Sequence, residues 1–226
     1  MDEHSASIEP VTATLGSILR NVELGVFPAP DLSVSVVAAP SERDSCVVGL
    51  TAHIVVAADV SSAWVHSLLP SQDPSAPLNP PFLSALEKAT GRRVNAIDAL
   101  LLAPALAADD EREELLSVLV DLADPEHPRV RRAQLHRDEV RVFGHAAGGL
   151  VLVGRGVAGR LECAVEVPEE ARGIGRGRTL ARAARALVPV GSHVWAQVTP
   201  GNAASLRAFL AAGFIPVGSE ALLVKH

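Results

Sequence analysis

Residues 167–187 read VPEEARGIGRGRTLARAARAL, and the reading of this stretch decides the fold. A strand-like run ends at Val167 or Pro168. From about Gly177, Leu180, Ala184 and Leu187 line one face of a helix that stops before Pro189. Gly173, Gly175 and Gly177 therefore sit at a strand-to-helix turn. Without side chains they let the backbone approach a ligand, and the unpaired N–H groups of the helix start favour negative charge. A diphosphate is the expected guest.

Three readings compete for this loop. The dinucleotide fingerprint G-x-G-x-x-G fails because Arg178 occupies the third glycine position, and only about 50 residues follow for the rest of such a domain. The phosphate-cradling loop of nucleotide hydrolases fails because no G-K-[ST] follows the glycines. A glycine turn without a ligand stays open for the loop taken alone, since short glycine patterns are weak signals.

Working outward, His193 to Val198 alternates as a strand. Asn202 to Ala212 reads as a helix with Asn202 as cap and Gly213 as left-handed stop, and Phe214 to Val224 supplies the final strands. On the other side, Glu139–His145, Gly149–Gly156 and Gly159–Val167 form three strands with glycine-containing turns, an antiparallel meander. Before them the pattern predicts a short helix over Val130–Arg137, a helix over Glu111–Leu122 carrying Leu115, Leu116, Leu119 and Leu122, and a strand over Val94–Leu102.

Arg172, Gly175 and Gly177 take the three defining positions of the signature [Q/R]-x-x-G-x-[G/A]. Residues 202–220, NAASLRAFLAAGFIPVGSE, add a capped helix that closes in Gly213-Phe214 before a strand. In these two motifs and in element order, residues 94–226 resemble the GNAT N-acetyltransferase superfamily. The resemblance implies an α/β (α+β) fold, a mixed, mostly antiparallel sheet flanked by helices, that binds acetyl-CoA. Residues 1–93 then form an N-terminal α/β accessory segment that covers the acceptor cleft or mediates a homodimer. A degenerate half-copy of the same fold is the alternative for that segment.

By the same resemblance, the loop amides of Arg172, Gly173, Ile174, Gly175, Arg176, Gly177 and Arg178 hold the pyrophosphate of acetyl-CoA. The main chain at Val165 and Val167 meets the pantetheine arm, and Asn202 lies near the cofactor. The implied activity is transfer of an acetyl group to an unidentified small-molecule or peptide amine. It needs a neutral amine, a stabilised oxyanion and a proton for the departing thiolate. Glu166 and Glu162 are the candidate bases, four residues apart and so on one strand face, with Glu166 ranked first. The tyrosine that usually serves as acid falls at Phe209, and the chain contains no Tyr. Thiolate release then rests on Ser205, on water, or on no acid. That gap keeps a rival open, a non-catalytic CoA-binding or interaction module.

Composition narrows the partners. Hydrophobic residues at 48% and charged residues at 20% are those of a folded globular chain, and a net charge of -6 provides no field for nucleic acid or an anionic membrane. The acidic and polar start MDEHSASIEP lacks the features of a secretory signal, and the apolar runs are too short for a membrane span, so a cytoplasmic location is expected.

Cys46 and Cys163 sit in apolar runs without C-x-x-C spacing and are expected to be buried thiols, and the histidines lack metal-ligand spacing, so no metal is expected. His145, at a strand end, is a candidate for the acceptor site. Trp64 and Trp195 are expected in the core, Arg182 and Arg185 on an exposed helix face, and the acids from Asp109 to Glu114 at a helix start.

In the first segment, Leu32–Ala39 and Cys46–Ala58 read as a strand pair separated by the turn at Pro40–Asp44. A short helix around Ala63–Leu69 leads into SQDPSAPLNPP, a linker-like stretch, and Pro81 opens a helix that stops at Gly91.

Overall fold

The computed structural model describes residues 13–69, 73–122 and 126–225. The chain opens with α1 (Leu15–Glu23), which Thr14 and Ser17 start with a reciprocal capping box and which buries Leu15, Leu19 and Val22. The sequence reading passed over this helix, although its buried residues recur at helical spacing.

Strands β1 (Val34–Val37), β2 (Asp44–Leu50) and β3 (His53–Ala57) follow. The expected strand pair is corrected here. The run from Cys46 to Ala58 is two strands, turned back on themselves at Thr51 and Ala52 with φ of 45° and 58°. β1 pairs with β3, in parallel. A continuous apolar run buried on both faces carries no periodicity that marks where the chain reverses.

Helices α2 (Ser62–Leu68) and α3 (Pro80–Thr90) come next, the second started by two prolines and ended by Gly91 in the left-handed region. The described part of the proline-rich stretch is not a free linker. Pro77 is buried and Leu78 packs against the cluster of Val47, Val56 and Phe82.

The rest runs as β4 (Arg93–Pro104), α4 (Asp110–Ser117), β5 (Leu119–Asp121), α5 (Pro128–His136), β6 (Asp138–His145), β7 (Leu150–Arg155), β8 (Leu161–Glu166), α6 (Arg176–Leu187), β9 (His193–Val198), α7 (Ala203–Ala211) and β10 (Ile215–Val224). The meander of β6, β7 and β8 is antiparallel, as read from the sequence. The helix expected over Glu111–Leu122 stops at Ser117. Leu119 and Asp121 instead pair with His145 and Phe143, and Leu122 packs where Gly144 has no side chain. The open edge of β6 offers ladder hydrogen bonds that a further helical turn would forgo.

Among the described residues one sheet takes in ten strands, in the order β1-β3-β2-β10-β4-β9-β8-β7-β6-β5, with only β1–β3 and β8–β9 parallel. The fold is thus mixed α/β, mostly antiparallel and flanked by helices. The last strand, β10, lies between β2 and β4, so the first segment extends the same sheet. α1 and α5 cover one face and α2, α3, α6 and α7 the other.

A buried charge network crosses the middle of this sheet. Arg160 donates from Nε to Glu162 Oε1 at 2.9 Å and from Nη2 to Glu220 Oε1 at 3.0 Å. Its guanidinium lies over the ring of Trp195, whose Nε1 donates to Glu23 on α1. Glu162 Oε2 meets Arg137 Nε at 2.8 Å. The carboxylate needs Gly156, since a Cβ there would lie 2.1 Å from the carboxyl carbon. Removing Arg160 as Arg160→Leu leaves two carboxylates buried and is expected to cost about 3–5 kcal/mol, read as a lower urea midpoint. A midpoint equal to the parent's would mean that the carboxylates find other partners.

Candidate functional site

β8 is paired with β7 along its whole length, but toward β9 the ladder among the described residues is the single pair Glu162–Trp195. Beyond it the strands part, and the main chain of Val165–Val167 faces a cleft of about 760 Å³ between β8, the glycine loop and α7. Val165, Val167, Arg172, Gly173, Gly175, Arg176, Gly177, Arg178 and Asn202 line it, together with Glu166 and Ser205. Ile174, 72% exposed, is not among the lining residues.

The loop's conformation follows from its glycines. Gly173 and Gly175 hold φ of 78° and 89°, a region that costs other residues strain, and a Cβ on either would meet nothing within 4 Å. α6 begins at Arg176 with Gly175 as cap, so no side chain satisfies its first N–H groups. Gly177 has a different role, for a Cβ there would come within 3.1 Å of Ala208 Cβ on α7. Cationic side chains surround the loop. Arg176 Nη1 lies 3.1 and 3.2 Å from the ring nitrogens of His145, while Arg176 Nε has no hydrogen-bond partner. Burial and Arg176 together lower the pKa of His145, and its Nδ1 accepts from Ala147 N–H. His145 lines neither this cleft nor the cavity described next.

Arg182 and Arg185 serve the scaffold. Arg182 pairs with Glu111, and Arg185 donates to Pro104 O at 2.9 Å and Ala212 O at 2.8 Å. Asp109 caps α4, so the acidic run is a helix start. Trp64 packs against Phe82 and Trp195 is fully buried. Both cysteines are buried, with the Cys163 thiol pushed up to about 12 by burial. Among the described residues no cluster of His, Cys, Asp or Glu has the makings of a metal site, and no helix is long and apolar enough to cross a membrane.

A second cavity, of about 240 Å³, lies on the opposite face beneath α5. Asp98 on β4, Gln197 on β9, Glu162 on β8 and Glu220 on β10 form its floor, and Arg129, Arg132 and His136 its α5 wall. Arg129 lines both cavities. Asp98 accepts from Thr199 Oγ1 at 2.9 Å, and burial raises its pKa. Glu220 pairs in register with Asp98 on the neighbouring strand, and its Oε2 has no hydrogen-bond partner. Burial, then Arg132 and Arg137, lower the pKa of His136, whose Nδ1 is also unpartnered.

The expected catalytic residues fall in different surroundings. Glu166 lines the larger cleft, its Oε2 accepting from Arg129 Nε at 2.7 Å. Glu162 faces the smaller cavity, where Val157 N–H and Arg160 donate to one oxygen and Arg137 meets the other. Burial alone would raise its pKa, but the arginines outweigh it and hold the carboxylate ionised. Ser205 N–H donates to Asn202 Oδ1 at 3.0 Å. Phe209 is buried and packs edge-on against Phe214 at 4.9 Å. The sequence reading missed Asp98, Thr199, Gln197, His136, Arg132 and Glu220. They come from four elements and the end of β9, and their convergence depends on a strand pairing that no local motif reports.

No protein-family model matches the chain, and no curated protein matches it. Among solved structures, one described as a GNAT-family acetyltransferase from Novosphingobium aromaticivorans is 20% identical, with a TM-score of 0.39, covering 60% of this chain and 68% of that one. A GCN5-related N-acetyltransferase from Kribbella flavida is 16% identical, with a TM-score of 0.37 and 64% of each chain covered. A tandem GNAT protein from the clavulanic acid biosynthesis pathway, solved without AcCoA, is 19% identical, with a TM-score of 0.31, over 68% of this chain and 59% of that one.

The contact between Gly177 and Ala208 generates a stability prediction. Gly177→Val is expected to force α6 away from α7 at a cost of about 1–3 kcal/mol, as overpacking does. The check is the urea midpoint, with Gly173→Ala as the control for strain without a clash.

Proposed function

We propose that this chain is an N-acetyltransferase of the GNAT superfamily that moves an acetyl group from acetyl-CoA to a primary amine. The observation that carries the reading is the parting of β8 from β9 beside a glycine loop at the start of α6. It joins free strand backbone and unpaired helix N–H groups in one cleft. A nucleotide thioester fits those groups. The open space over Gly173 and Gly175, the amides of α6 and the guanidinium groups of Arg172, Arg176 and Arg178 suit a pyrophosphate. The backbone at Val165–Val167 suits the amide-bearing arm and the thioester carbonyl.

In the transfer, the amine nitrogen bonds to the carbonyl carbon, the C–S bond breaks, the nitrogen gives up its proton to a base, and the thiolate takes one. Glu166 is the proposed base, directly or through water, because it lines the donor cleft. Glu162 supports the sheet beneath it as a permanently paired anion. Ser205, on the cleft wall, is the side chain offered for the thiolate, and Phe209 has no proton to give. The acceptor enters from the cavity under α5, which shares Arg129 with the larger cleft. Residues 1–93 act as an accessory segment that braces the sheet beside β10.

The missing tyrosine favours a second reading, a chain that binds acetyl-CoA without turnover. Calorimetric titration with acetyl-CoA tests what the two share. Micromolar binding is expected, weakened at least about tenfold in Gly175→Val, or by about 1.4 kcal/mol. Absence of binding by the parent protein would end both readings. Release of free thiol in the presence of amines then separates them. Glu166→Gln is expected to lower kcat by about 10²–10⁴-fold, and full turnover in that variant would remove the base assignment.

A further inference from the structure

Resting on the acetyltransferase reading, we propose that the acceptor held under α5 is a small dipolar amine of the amino-acid class, with a carboxylate close to the amine. At about 240 Å³ the cavity lies below the roughly 300–1,000 Å³ that drug-sized ligands occupy. A small acceptor matches that volume.

The floor supplies the half of the site that suits an ammonium. Asp98 and Glu220 are cross-strand neighbours on β4 and β10 and share a face. Glu220 is 2% exposed, and Arg160 occupies its Oε1 while Oε2 has no hydrogen-bond partner. Thr199 is the only side chain that hydrogen-bonds Asp98 among the described residues. An ammonium brings three N–H donors and no acceptor, the complement of two carboxylates short of donors. The position also suits the chemistry. β8 and β9 are in parallel register at Glu162–Trp195, and Glu166 and Thr199 each lie four residues beyond that pair along the chain. A nitrogen held by Asp98 therefore stands at the mouth through which the thioester is presented.

The wall supplies the other half. Three arginines from α5 and its end line the cavity, and two are engaged, Arg129 by Glu166 and Arg137 by Glu162 and Gln197. Arg132 makes no hydrogen bond or ion pair among the described residues, and its charge acts on Asp98 and His136. A guanidinium free at the rim, opposite a carboxylate floor, matches an acid group in bidentate fashion. The second ammonium of a diamine would instead face Arg129 and Arg132 at close range, so polyamines are selected against.

The test uses the full chain with acetyl-CoA and a free-thiol readout against three probe sets: the L-α-amino acids, the monoamines they would give without the carboxylate, and the diamines putrescine and cadaverine. Turnover confined to the amino acids is expected. Arg132→Gln should raise KM for the best amino acid by about tenfold or more while the Kd for acetyl-CoA stays at the parent value, and Arg132→Lys should recover part of the loss. Equal turnover of monoamines or diamines, or an unchanged KM in Arg132→Gln, overturns the proposal. If acetyl-CoA binds and no probe in any set is turned over, the acceptor class is wrong while the donor cleft stands. If acetyl-CoA does not bind, the acetyltransferase reading falls and the acceptor proposal falls with it.

Discussion

Burying the Arg160 guanidinium between Glu162 and Glu220 is the constraint on which the rest of the molecule turns. An arginine taken out of water must be met by carboxylates with good geometry, and those two come from strands separated in the sheet by β4 and β9. The network therefore fixes β10 and β8 relative to each other. It also clamps Glu162, whose backbone forms the one β8–β9 pair, so the strands are held together there and released beyond it. Trp195 beneath the guanidinium carries the tie on to α1 through Glu23.

The two cavities follow from that release. On the α6 face, side chains of odd-numbered β8 residues and the glycine loop border the larger cleft. On the α5 face, Glu162 and Ala164 with Asp98, Gln197 and Glu220 border the smaller one, and Glu166, at the end of β8, borders the larger cleft. Glycine backbone and arginines border the larger cleft and suit phosphates. Carboxylates and His136, whose pKa burial lowers, border the smaller one. Among the described residues, Glu220, His136 and Arg176 each line one or other cavity with a buried atom lacking a hydrogen-bond partner, and Asp44 and Arg160 carry such atoms within the scaffold.

How much was legible in the sequence depended on the range of the interaction. Gly173 and Gly175, the capped helix at Asn202 and the stop at Gly213 are local, because backbone sterics and capping act within a few residues. Their positions in the fold match the reading. Leu119 had helical spacing yet went to an edge strand, with Leu122 just beyond it, because the free edge of β6 lies far away in sequence. The run from Cys46 to Ala58 hid a hairpin, since burial on both faces removes the alternation that would have marked its two strands. Phe209 was read correctly as a residue without a proton to give, but its burial against Phe214 needed the packing.

By itself, the sequence determined the glycine loop, the helix that follows it, the meander and the absence of tyrosine chemistry, each a matter of residue type and short spacing. Tertiary structure alone decided that β10 lies between the two parts of the chain, that Glu162 is locked by arginines while Glu166 lines the cleft, and that Asp98, Glu220 and Arg132 face one cavity. Those outcomes depend on strand order and on desolvation, quantities set by which distant segments come together. No local pattern encodes them.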